Sequence, residues 1–190
     1  MKKFMKKPVA IILAVVLLVG AVVGGTLAWF TDKTDEVVNT FTVGNVDIDL
    51  NETKEDFKMI PGWTIAKDPV VTVEAGSEAT MLFVKLDKSA NFDQFLTYAV
   101  ADGWTALEGV TGVYWREVDK TTADVPFAVI KDNTVTVKES VTKEMMDAIV
   151  VGTADEPTLT VTAYATQLYK NNTDKFTPAQ AWAVLFPATP

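Results

Sequence analysis

Residues 158–169 read Leu159, Val161, Ala163 and Ala165 in alternation with Thr160, Thr162, Tyr164 and Thr166. A period of two places alternate side chains on opposite faces of an extended chain, so this stretch predicts a long β-strand and excludes an amphipathic helix. The same kind of run recurs along the chain, broken by Asn, Asp, Gly and Pro. Residues 70–74, 80–86, 95–101, 112–118, 126–131 and 134–138 all read as strands. In residues 80–86 both parities are apolar, which predicts a central strand covered on both faces. Asp132-Asn133 predicts a tight hairpin turn between the strands on either side of it.

The first strand opens at Phe41. Phe41 and Val43 share one parity and Val46, Ile48 and Leu50 the other, with the change of phase at Gly44-Asn45. One extra residue there, as a β-bulge, returns both sets to one face and sends Asp47 and Asp49 to water. Two short helices interrupt the strands. Residues 142–150 put Met145, Met146 and Ile149 on one side. Residues 177–186 begin with Thr at the N-cap, Pro at the first turn and Gln180 three residues on. About eight short strands and two short helices in a chain of this size predict an all-β, jelly-roll-like β-sandwich, one domain over residues 41–190.

Composition removes most enzyme chemistry. The 190 residues contain no histidine and no cysteine, which excludes Ser-His-Asp and Cys-His catalysis, histidine-ligated zinc, thiolate nucleophiles and Fe–S clusters. No catalytic residue, metal site or cofactor is expected. The formal charge of −8 argues against nucleic acid as a partner, because phosphate binding relies on Lys and Arg.

The N-terminus reads as a cleavable secretory signal peptide over residues 1–28. Lys2, Lys3, Lys6 and Lys7 precede an uncharged apolar stretch that closes on Gly24-Gly25-Thr26-Leu27-Ala28. Thr26 and Ala28 suit the −3 and −1 positions of a signal-peptidase site, with Trp29 as the new N-terminus. The competing reading is an uncleaved membrane anchor, since such a stretch is long enough to span a bilayer. On the first reading only the precursor touches a membrane. Cleavage removes four lysines and no acid, which moves the charge from −8 to −12.

Residues 29–40 follow as a separate segment, starting with Trp29-Phe30 and carrying Val37-Val38 near its end. Extended at ~3.3 Å per residue it reaches about 40 Å, enough to leave its own domain. It is either a frayed terminus or a strand seeking the sheet edge of a partner. Two other constellations stand beside it. Asp32, Asp35, Glu36, Asp47, Asp49, Asp155 and Glu156 are either solvated surface or oxygen ligands. Trp63, Trp104, Tyr114 and Trp115 are either core packing or a stacking platform for sugar.

Residues 24–32, Gly-Gly-Thr-Leu-Ala-Trp-Phe-Thr-Asp, and 39–48, Asn-Thr-Phe-Thr-Val-Gly-Asn-Val-Asp-Ile, resemble the SipW-dependent signal peptide and first strand of the TasA/camelysin family. The resemblance implies a secreted or cell-surface protein with a jelly-roll domain, processed by a signal peptidase of SipW type between Ala28 and Trp29. It also implies self-association into fibres or biofilm matrix, with Trp29, Phe30, Val37 and Val38 in a strand donated to the next subunit. The metallopeptidase label of camelysin relatives does not carry over to a chain with no histidine. A monomeric surface module for glycan or protein, using the exposed aromatics, is the alternative.

Overall fold

A computed structural model describes residues 31–33, 46–53, 59–150, 153 and 155–187. Among these residues eleven strands and three short helices follow in chain order: β1 (Thr31–Lys33), β2 (Ile48–Asn51), β3 (Thr64–Ala66), β4 (Val70–Val73), β5 (Thr80–Lys88), α1 (Phe92–Phe95), β6 (Leu96–Thr97), β7 (Thr105–Ala106), β8 (Val113–Val118), β9 (Val125–Ala128), β10 (Thr134–Val137), α2 (Lys143–Asp147), β11 (Leu159–Gln167) and α3 (Pro178–Leu185). The protein is all-β in character, as the alternating runs predict. No helix among the described residues is long and apolar enough to cross a membrane.

The frame is a five-stranded antiparallel sheet in the order β1-β11-β5-β8-β7. Its spine is the nine-residue ladder between β5 and β11, from Leu159 opposite Lys88 to Gln167 opposite Thr80. Both parities of β5 are buried, because each face of this sheet has its own cover. On one face Leu82, Val84, Leu86, Ala163 and Ala165 meet Ile48, Val71 and Val73 from the smaller β2-β4-β9 sheet. On the other, Met81, Phe83 and Tyr164 meet Ala181 and Trp182 of α3. Val, Ile and Leu fill the first layer because branched side chains pack well between two pleated surfaces. The second is aromatic, as suits one helix covering a wide sheet.

A third core lies under the β3-β10-β6 sheet, where Phe92, Phe95, Leu96, Val135 and Val137 meet Met145, Met146 and Ile149 around α2. Both predicted helices form on their caps. The Thr142 side chain accepts from the Met145 N–H, and Thr177 and Gln180 complete a reciprocal capping box. Asp47 and Asp49 are exposed while Val46 and Ile48 are buried, as their alternation predicts. The bulge expected at Gly44-Asn45 lies outside the described residues.

Two expectations are corrected. Asp132 and Asn133 do take the left-handed backbone of a tight turn, with φ of 55° and 52°. The flanking strands do not pair with each other, however: β9 pairs with β4, and β10 with β3 and β6. Val129 and Ile130 are buried in the first core and Val135 and Val137 in the third, so the turn must carry the chain from one sheet to another. The strand expected over residues 95–101 reduces to β6 and an isolated bridge from Val100 to Ile130. Before it comes helix α1, whose Phe92 and Phe95 are both buried, three residues apart on one helical face.

Candidate assembly edge

The outermost strand of the large sheet comes from the N-terminal segment. Thr31, Asp32 and Lys33 lie antiparallel opposite Thr166, Ala165 and Tyr164. Among the described residues β1 pairs with three residues of β11, whereas β5 pairs with all nine on the other side. β1 is the outermost strand of this sheet among the described residues, and the outer edge of such a strand is where another strand can add.

The surroundings of this edge come from α3. Its capping box and the proline at its start fix where the helix begins, and so where Trp182 lands. The Trp182 ring centroid lies 5.5 Å from that of Tyr164, 5.3 Å from Phe83 and 4.4 Å from Phe186. Phe186 also packs edge-on against Tyr164 at 5.1 Å and remains 43% exposed. Tyr164, the residue opposite Lys33, thus links the edge to a partly open aromatic cluster. Thr166, opposite Thr31, is fully buried, and its Oγ1 is without a hydrogen-bond partner among the described residues.

Of the residues singled out by sequence, Thr26, Ala28, Trp29, Phe30, Val37 and Val38 lie outside the described residues, as do Asp35 and Glu36. The four aromatics do not form one platform. Trp63 is 62% exposed beside Ile60, on a turn closed by a 3.0 Å bond from the Trp63 N–H to the Ile60 carbonyl. Gly62 holds φ +76° in that turn, a conformation open mainly to glycine. Trp104 is half-buried and donates from Nε1 to the Ala128 carbonyl at 2.8 Å. Tyr114 packs on the first core and Trp115 on the second, on opposite faces of the large sheet. Among the described residues no group of three or more Asp or Glu is placed to hold a metal ion.

Arg116 was not legible as a site. It is the chain's only arginine, and nothing in the pattern of β8 marks it. It turns out half-buried among aromatic rings, and burial pushes its guanidinium below the usual arginine range.

Fold and edge together define an all-β protein whose main sheet ends in a strand from the N-terminal segment. The family model described as camelysin metallo-endopeptidase matches residues 3–86, a span that reaches from near the N-terminus into β5. Over that span the chain is similar to the camelysin family, which is consistent with the TasA/camelysin resemblance of its junction and first strand. No curated protein and no solved structure matches the chain.

Proposed function

We propose that this protein is a secreted structural subunit of an extracellular surface fibre or biofilm matrix, assembled by donation of its N-terminal strand. The observation that carries the reading is the pairing of β1 with the outer edge of β11. A strand at the edge of a sheet can be exchanged for the same strand of another copy, because the backbone hydrogen bonds broken within one chain are remade between chains. Each copy offers one donor and one edge, so successive exchanges run head to tail and the assembly stays open, as in a filament. On this reading a SipW-type signal peptidase frees Trp29 and acts as the assembly switch. The two packed sheets of the first core are read as a jelly roll. The match to the camelysin family supports secretion to the cell surface. Its endopeptidase activity is not carried over, since a chain with no histidine and no cysteine lacks the usual ligands of a hydrolytic zinc.

The test compares residues 29–190 with residues 41–190 by size-exclusion chromatography and negative-stain microscopy after concentration. Filaments are expected from the longer chain alone. Filaments from the shorter chain, or monomers from both, overturn the reading. A monomeric surface module for glycan or protein is the second reading, favoured by the exposure of Trp63 on its closed turn. It predicts that Trp63→Ala abolishes ligand capture with an unchanged melting curve.

A further inference from the structure

Seven lysines, Lys67, Lys85, Lys88, Lys120, Lys131, Lys143 and Lys175, each pair with a carboxylate. Among the described residues the single arginine does not, in a chain with 25 acidic residues. The Arg116 side chain makes neither an ion pair nor a hydrogen bond among the described residues, and its Nε is buried with no partner there. Its neighbours are aromatic instead. The guanidinium carbon lies 3.9 Å from the Phe127 ring centroid and 5.3 Å from that of Trp104. The backbone of Gly103, at φ +88°, passes so close that a Cβ there would stand 3.2 Å from Nη2.

We propose that Arg116, framed by Trp104, Phe127 and Gly103, is a binding site for a carboxylate. Cation–π contact holds a guanidinium in place and dries its surroundings, yet leaves its charge uncancelled and its N–H groups without acceptors. With rings on its flanks, what remains to be recognised is the planar N–H edge, and that fork fits the two oxygens of a carboxylate. Lysine has no such fork. The chain's formal charge of −8 disfavours a doubly charged phosphate more than a singly charged carboxylate. Two sources share this chemistry, the acidic side chains of another protein molecule and an acidic sugar. The site is independent of strand donation, since β8, β9 and the turn before β7 carry it and β1 does not.

Because arginine occurs once, modification by phenylglyoxal, read by peptide mass spectrometry on the full chain, reports on this side chain alone. The rate is measured with acetate, N-acetylglutamate amide, glucuronate or phosphate, at one pH and with ionic strength held constant by chloride. A carboxylate is expected to slow modification saturably, about fivefold at roughly four times its Kd. Stronger protection by glucuronate assigns the acidic sugar, and stronger protection by N-acetylglutamate amide assigns the protein side chain. Equal rates in all anions, or phosphate protecting better than the carboxylates, overturn the proposal. So does a complete failure of Arg116 to react, which would show the N–H edge to be closed.

Discussion

The two flanks of β11 differ in how firmly they are held. Toward β5 the ladder runs the whole strand, with Ala163 and Ala165 buried on one face and Tyr164 and Thr166 on the other. Toward β1 the ladder is described over three residues. Backbone chemistry is the same on both sides, so hydrogen bonds alone do not explain the asymmetry. The difference lies in the side chains behind the ladder. β5 brings Met81, Leu82, Phe83 and Val84, all fully buried, and its pairing is inseparable from two cores. β1 is the outermost strand of this sheet, with no strand beyond it among the described residues. An element of that kind opens locally without global unfolding, as exchange between subunits requires.

The largest expected effect is on the firm flank. Phe83→Ala leaves a cavity between Tyr164, Trp115 and Trp182, and is expected to cost about 3–5 kcal/mol in urea unfolding. A loss no larger than that of removing residues 29–40 would erase the contrast between the flanks. A second perturbation loosens the same side without changing composition. Tyr98 packs beside both the first and third cores, and burial, helped by Tyr114 and Asp93, pushes its phenol up to about 12. The unfolded chain ionises near pH 10 and the folded one only near 12, so this contribution is intact below pH 10 and is lost as pH rises through that window. The melting temperature should fall more steeply between these values than in Tyr98→Phe, and equal slopes would refute the assignment. The smallest effect concerns the loose flank. Thr166→Val removes a buried hydroxyl without a partner among the described residues, and should raise stability by about 1 kcal/mol. A fall in the urea midpoint would mean that this hydroxyl is bonded when β1 is seated.

Some of this was legible from residues alone. The period of two in β11 and the double apolarity of β5 marked both strands of the spine, while their pairing was left to the fold. The cap at Thr177 and the apolar side of residues 142–150 placed both predicted helices. Helix α1 was missed because Phe95, its last residue, also continues the apolar pattern of the strand that follows. The hairpin at Asp132-Asn133 misled for a different reason: its turn chemistry is local and correct, but strand partners depend on which core each strand fills. Trp104 and Trp63 both follow a glycine, yet one is drawn against Arg116 and the other stands in solvent.

By itself, then, the sequence determined the all-β character, the parity of each long strand, the start of the last helix and the resemblance of residues 3–86 to the camelysin family. These depend on alternation, capping and motif, which are properties of neighbours in the chain. Only the tertiary structure decided that Thr31–Lys33 lie against Tyr164–Thr166, that three sheets share the strands, and that Arg116 meets two rings and, among the described residues, no carboxylate. Those outcomes join residues far apart in sequence, and are set by which buried surfaces fit together.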